Sequence, residues 1–168
     1  MNLLIRPEGP ADAPAIAEVT RLAFTYNDGL RENEMIEEIR TSGRFLPNLS
    51  LVAEVGGRTV GHVIVAPADL RGEPENPDRP RRVLYLGPIS VLPEFQRRGI
   101  GSDLMRAVLG AVQGRPEPMV VLWGHSDYYP RFGFRRAAEF SLHPDTPTAM
   151  IYPLRNDLSA YAGLELPA

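Results

Sequence analysis

The chain contains no cysteine, which removes disulfides, thiolate metal sites and a cysteine nucleophile together. It contains no lysine either, since all 18 basic residues are arginine. Schiff-base chemistry and the lysine of a nucleotide-binding P-loop are therefore excluded. Genomic base composition is reason enough for such a bias, and the exclusion holds whatever its origin. Any anion this protein binds must be met by guanidinium groups or by backbone N–H groups. No apolar run approaches the roughly 20 residues needed to span a bilayer. The opening Met1-Asn2-Leu3-Leu4-Ile5-Arg6-Pro7 has neither the basic start nor the apolar stretch of a secretory signal. A soluble, cytoplasmic protein with no membrane partner is the expectation. The net charge of −3 gives no general attraction to nucleic acid, and no His/Asp/Glu spacing suggests a metal.

What is present is ordinary for a folded domain, with 43% apolar and 23% charged residues. A chain of 168 residues fits one domain, expected to span 1–168. Leu3 to Arg6 reads as a strand. Asp12 is placed to cap a helix with Ala13 and Pro14 in its first turn. Ile16, Val19, Thr20 and Ala23 then share one face. A second helix over Leu30 to Arg40 buries Met35, Ile36 and Ile39, with Gly43 as its stop. Leu49 to Val55, the Gly56-Gly57 turn and Thr59 to Val65 form a β-hairpin. Residues 68–80, with Gly72, Pro74, Pro77 and Pro80, read as a long and functional or mobile loop. Arg82 to Val91 is a strand, and a helix begins near Gly99 with Ile100, Leu104, Val108 and Ala111 or Val112 as its stripe. Met119 to Trp123 is a buried strand. Tyr128 to Phe132 makes one helical turn, stopped by Gly133, and Ala149 to Leu154 is a last strand. The tail from Asn156 carries no clear pattern. The fold class is mixed α/β.

The most informative segment is Val91-Leu92-Pro93-Glu94-Phe95-Gln96-Arg97-Arg98-Gly99-Ile100-Gly101-Ser102. A strand ends, the chain turns, and a helix starts on glycines. The first N–H groups of a helix lack internal partners and its dipole is positive at that end, which suits a pyrophosphate. Alone, such a helix start serves structure as readily as binding. The dinucleotide fingerprint fails because Leu104 stands where its third glycine belongs. What fits is Gln/Arg-x-x-Gly-x-Gly/Ala, here Gln96 to Gly101. On these residues the sequence resembles the GNAT superfamily of N-acetyltransferases. The later run Tyr129-Pro130-Arg131-Phe132-Gly133-Phe134 is similar to that family's Tyr-x-x-x-Gly-Phe element, and the order of elements from Leu4 to about Leu154 follows the family's. The strand Leu86 to Val91 resembles that of small bacterial acetyltransferases whose substrates are mostly unknown.

The resemblance implies a central, mostly antiparallel twisted sheet of six to seven strands flanked by helices, splayed between the fourth and fifth strands. It implies acetyl-CoA as co-substrate. The pyrophosphate would be held by Gln96, Arg97, Arg98, Gly99, Ile100, Gly101 and Ser102, and the pantetheine would lie along Ile89, Ser90 and Val91. The N–H of Val91 would bond the thioester carbonyl, an amine would attack directly, and Tyr129 would protonate the departing thiolate. Tyr129 is otherwise a packing aromatic beside Phe132 and Phe134. The sequence departs from many relatives in one respect: the strand Val83 to Val91 carries no carboxylate to act as a base. His62, on the hairpin, is a candidate base through a water, or else a structural histidine; His125 and His143 have weaker claims. Glu32, Glu34, Glu37 and Glu38 on the second helix either attract a cationic acceptor or form a solvated face. The acceptor is expected to be a small-molecule amine or a peptide, and a homodimer is compatible with the reading. The rival reading is a silent acyl-CoA-binding module that senses CoA.

Overall fold

A computed structural model describes residues 1–72 and 81–168 of the chain. Seven strands form one sheet in the order β1-β2-β3-β4-β5-β7-β6. They are β1 (Leu3–Pro7), β2 (Ser50–Val55), β3 (Arg58–Asp69), β4 (Arg82–Val91), β5 (Met119–Trp123), β6 (Arg135–Arg136) and β7 (Ala149–Pro153). All pairings for which a register is defined are antiparallel except β4 with β5, where Leu84 lies opposite Val120 and Tyr85 opposite Val121. Three α-helices accompany the strands: α1 (Ala13–Ala23), α2 (Leu30–Thr41) and α3 (Ile100–Ala111). The mixed α/β class and the mostly antiparallel sheet with flanking helices are as expected. By its contacts the chain forms two units, Met1–Ala66 with Gly87–Gln113, and Pro67–Leu86 with Gly114–Ala168.

In the first unit β2 and β3 are joined by Gly56 and Gly57, both with positive φ (58° and 79°). Two successive left-handed residues give the turn whose twist matches a hairpin. Helices α1 and α2 lay Ile16, Ile36 and Ile39 on Val52, Ile64 and Ala66, so the periodicity read from the sequence is the buried face. On β3 the intervening position is Gly61, where a Cβ would lie 3.0 Å from Leu104 Cδ1 of α3. Glycine at this point lets α3 approach the opposite face of the hairpin.

Asp12 stands at the N-terminus of α1 but does not cap it. Its carboxylate takes Arg6 Nη1 at 2.7 Å and Nη2 at 2.9 Å, and accepts the Gly9 N–H at 2.6 Å. The bidentate guanidinium holds its pKa down at about 2. A charge-assisted pair outcompetes a neutral amide for the same oxygens. The expected loop also begins later than its composition suggests: β3 runs on to Asp69, and residues 73–80 of that loop lie outside the described residues.

In the second unit β5 and β7 pair from Met119–Pro153 to Trp123–Ala149. Their core joins Leu70, Val83, Met119, Val121 and Ile151 to Leu158, Leu164 and Leu166. The tail is thus part of the core. Gly163 turns it with φ 86°. Glu165 then pairs with Arg71 through both backbone groups, at 2.7 and 2.9 Å.

Two glycines separate backbone strain from steric contact. Gly29 has φ 66°, and a Cβ there would lie 2.6 Å from the Thr20 carbonyl oxygen; Gly43 has φ 79° with nothing within 4 Å. Gly43→Ala should cost the left-handed penalty of about 1–2 kcal/mol. Gly29→Ala should cost clearly more, because a backbone oxygen cannot yield. Urea denaturation of the two variants, compared with the parent protein, measures the difference.

Candidate active site

The segment predicted to cradle a pyrophosphate is built as a tight turn between β4 and α3. Leu92 N–H bonds the Val60 carbonyl at 2.8 Å, which pins the end of β4 beside the hairpin. Gln96 then reaches back, its Nε2 donating to the Val91 carbonyl at 2.9 Å. Arg97 adopts φ 61° and Gly99 φ 86°. The arginine is one of the few non-glycine residues in that region, and strain of this kind persists where surrounding structure imposes it. The first turn of α3 closes with Asp103 N–H to Gly99 carbonyl at 3.0 Å. The amides ahead of it project from the positive end of the helix. Gln96, Arg97, Arg98 and Gly99 are exposed, Gly101 and Ser102 half-buried, and Ile100 buried as the anchor of the helix. Arg98 and Arg58 both stack on Phe95, 5.4 and 5.9 Å from the ring centre.

Ile89, Ser90 and Val91 close β4 directly upstream. Ile89 and Val91 are half-buried, whereas Ser90 is 3% exposed. The Ser90 hydroxyl is buried without a hydrogen-bond partner among the described residues. An unpaired buried hydroxyl is costly. The structure therefore brings the ten residues predicted to hold the cofactor onto one strand end and the helix start that follows it.

Tyr129 belongs to the second unit and opens a turn of 3-10 helix, Tyr129–Phe132, ended by Gly133 at φ 104°. Its ring stands edge-on to Tyr128 at 5.1 Å and to Phe134 at 5.9 Å. Burial first, and then the neighbouring Tyr128, push its phenol pKa above the usual value of 10.0. A phenol so placed stays protonated through the physiological range. Gly124, just beyond β5, makes room for it: any Cβ there would collide with the Tyr129 ring. Sequence reasoning missed Gly124, whose only signal was glycine directly after a strand. A cavity of about 520 Å³ opens nearby, lined by Ser126, Phe134, Arg135, Arg136 and Glu139 among others. It contains none of the predicted site residues, and Arg135 and Arg136 are already paired with Glu139 and Asp145.

Of the two readings open to His62 the structure favours the structural one, since the residue is fully buried. Ser50 Oγ lies 2.9 Å from His62 Nε2 and also donates to Glu8 Oε1. With the serine proton spent on Glu8, Nε2 must carry the hydrogen toward Ser50, leaving Nδ1 as a bare acceptor. Nδ1 has no partner among the described residues. Arg40 completes the group at 2.8 Å from Glu8 Oε2. Burial raises the Glu8 pKa, but nearby His62 and the bonds from Ser50 and Arg40 outweigh it and hold the carboxyl below its usual value. Burial lowers that of His62 against the opposing pull of Glu8. These four residues tie the end of β1 to α2, β2 and β3. The acidic run on α2 is partly spent as well: Glu32 bonds Tyr26, Glu37 faces Arg40, and Glu38 faces Arg44.

Comparison with known proteins follows the same lines. A family model described as an acetyltransferase (GNAT) domain matches residues 5–137. The chain is 32% identical to an uncharacterized N-acetyltransferase, YjhQ, of Escherichia coli K12, over 76% of this chain and 67% of the relative. It resembles the crystal structure of a GNAT family acetyltransferase from Brucella melitensis in complex with acetyl-CoA, at TM-score 0.72 and 31% identity, covering 94% and 91% of the two chains. It also resembles the structure of YhbS from Escherichia coli in complex with CoA, at TM-score 0.77 and 26% identity, covering 99% and 91%.

The buried histidine generates a pH test. Its pKa is lower folded than unfolded, so the unfolded chain binds the extra proton first and stability falls as pH drops below about 6.5. His62→Asn should flatten the dependence between roughly pH 6.5 and 5, while the parent protein loses stability there. Urea unfolding at three pH values in that window checks it, and an unchanged slope would assign the loss elsewhere.

Proposed function

Because the chain belongs to the GNAT family of acetyltransferases, we propose that it moves an acetyl group from acetyl-CoA to an amine by direct attack on the thioester. The observation that carries this reading is the turn from Gln96 to Ser102, where two left-handed residues lead into the positive end of α3. Gly99 supplies one of them without a side chain to obstruct an incoming anion. In this reading the pyrophosphate of CoA meets those amides and the guanidinium of Arg97 or Arg98. The pantetheine runs beside Ile89 to Val91 of β4. The relatives solved with acetyl-CoA or CoA support the same co-substrate.

The chemistry then follows from few groups. The amine nitrogen bonds the acetyl carbon, the Val91 N–H stabilises the developing oxyanion, and the carbon–sulfur bond breaks. A preorganised donor at such an oxygen contributes about 2.7–4 kcal/mol in acyl transfer. The group assigned to the departing sulfur is the Tyr129 hydroxyl. An ordinary tyrosine near pKa 10 is a weaker acid than a thiol near 8.5, and burial widens that gap. Tyr129 therefore serves by hydrogen-bond donation to the thiolate, which takes its proton from solvent as CoA leaves. With no carboxylate on β4 and His62 sealed in the core, the amine sheds its own proton to solvent.

The cofactor assignment is tested by thermal stability. Acetyl-CoA at a hundred times its dissociation constant should stabilise the fold by about 2.7 kcal/mol, with NAD and ATP giving much less. Gly101→Val should abolish the shift while leaving the unliganded protein folded. Equal stabilisation by NAD would end the assignment.

The role of Tyr129 is tested by kcat. Tyr129→Phe keeps the ring contacts with Tyr128 and Phe134, so acetyl-CoA affinity should hold while kcat falls by roughly 10²–10⁴-fold. Tyr128→Phe should be far milder. Thiol release across a panel of amines, peptides and aminoglycosides provides the acceptor and the rates. Tight acetyl-CoA binding with no thiol released to any of them would instead favour a sensing module.

A further inference from the structure

Two buried polar side chains of the first unit each keep an unpaired atom, and the sheet sets them opposite each other. Strands β3 and β4 are neighbours. They run in opposite directions, since Leu70 N–H bonds the Arg81 carbonyl at one end and Leu92 N–H bonds the Val60 carbonyl at the other. Counting two residues back from Leu92 and two forward from Val60 brings Ser90 opposite His62. Residues directly opposite share one face of the sheet. The close approach agrees with this register, because a Cβ on Gly61 would lie 3.2 Å from the Ser90 carbonyl oxygen. Ser90 is 3% exposed and His62 0%. Ser90 Oγ and His62 Nδ1 are the unpaired atoms, and their chemistry is complementary. The contacts of Ser50 leave Nδ1 as an acceptor, and a serine hydroxyl donates.

We propose that the Ser90 hydroxyl and His62 Nδ1 are joined, with at most one water between them, and that this link fixes the peptide group carrying the Val91 N–H. The inference rests on the transferase reading above, in which that N–H meets the thioester oxygen. The link completes a chain within the unit. Arg40 and Ser50 donate to Glu8, His62 Nε2 donates to Ser50, and Ser90 donates to Nδ1. Every proton along it has one acceptor, and its far end is a charged pair. Joining two buried groups that lack partners removes the cost of leaving both unmade. The mechanical effect falls on Val91. The peptide between Ser90 and Val91 turns its carbonyl toward Gly61 on β3, so across a trans peptide the Val91 N–H points away from β3. Gln96 already holds the Val91 carbonyl. Anchoring the Ser90 side chain secures the other side of the same donor, and such a donor works by being preorganised. Ser90 and His62 act here as positioning residues, through Val91.

Ring-nitrogen NMR signals read the link without any substrate. Those of His62, assigned by their loss in His62→Asn, should show a protonated Nε2 and a hydrogen-bonded acceptor at Nδ1. Ser90→Ala should move the Nδ1 signal and leave Nε2 in place, whereas Ser90→Thr, which keeps the hydroxyl, should hold both near the parent values. With an acceptor amine in hand, Ser90→Ala and His62→Asn should each lower kcat roughly ten-fold, as expected of a slightly misplaced donor. The double variant should fall no further than either single one, because both remove the same link. Ser90→Thr should recover most of the loss; if its extra methyl prevents folding, the double variant decides alone. An Nδ1 signal unmoved by Ser90→Ala, a protonated Nδ1, unchanged kcat, or losses that multiply in the double variant would overturn the proposal. A parent protein that shows the Nδ1 response but no thermal shift with acetyl-CoA would instead overturn the transferase reading.

Discussion

One side-chain hydrogen bond governs the turn proposed to hold the cofactor: Gln96 Nε2 to the carbonyl of Val91. It ties the far side of a turn back to the strand the turn has just left. With that carbonyl engaged and Leu92 N–H committed to Val60, the chain cannot continue as a strand. It is forced through Arg97 and Gly99 in left-handed conformations. Such residues reverse the direction in which successive amides point, and here they lead into the amides at the start of α3. The strain at Arg97 is sustained because Ile100, fully buried, and Leu104 against Gly61 fix the helix on the sheet. An anion site made this way needs little from side chains beyond charge. A chain without lysine can therefore build one.

A second constraint, independent of the first, acts at the end of β5. There a missing side chain decides the position of an aromatic ring: Gly124 is small because Tyr129 occupies the space a Cβ would need. The neighbouring residue on the strand, Trp123, is fixed by the tail instead. Adjacent positions on one strand are thus held by unrelated parts of the chain, one nearby and one distant. A phenol kept neutral by burial suits hydrogen-bond donation better than outright proton transfer, in keeping with the role proposed for Tyr129.

Local pattern made much of this architecture legible. The Gly56-Gly57 hairpin, β4 at Arg82–Val91, α3 after Gly99 and the apolar run of β5 are each announced by periodicity or turn chemistry within a few residues. The turn that gathers the proposed cofactor residues was legible for the same reason, since its glycines and its glutamine are contiguous. Features decided by distant partners were not. Asp12 has the look of a helix cap, but Arg6 on β1 claims its carboxylate. His62 reads equally as a base or as a structural histidine until Glu8, Ser50 and Arg40 are seen around it. The strand β6 is only two residues long, too short for any alternation to register. Leu164 and Leu166 alternate with exposed Glu165 over too few residues to register as a strand, and Leu158 stands apart from them.

The arginine-only composition has a further consequence once its ion pairs are seen in place. Arg6 with Asp12, Arg40 with Glu8 and Arg115 with Glu117 hold the structure together at 2.7 to 2.8 Å. A guanidinium stays protonated at any physiological pH and offers no lone pair to an electrophile. A protein that keeps an activated thioester bound close to its surface lives beside a reagent that acylates free amines. This chain has no side-chain amine to lose, so its own ion pairs are chemically immune to the group it is proposed to carry.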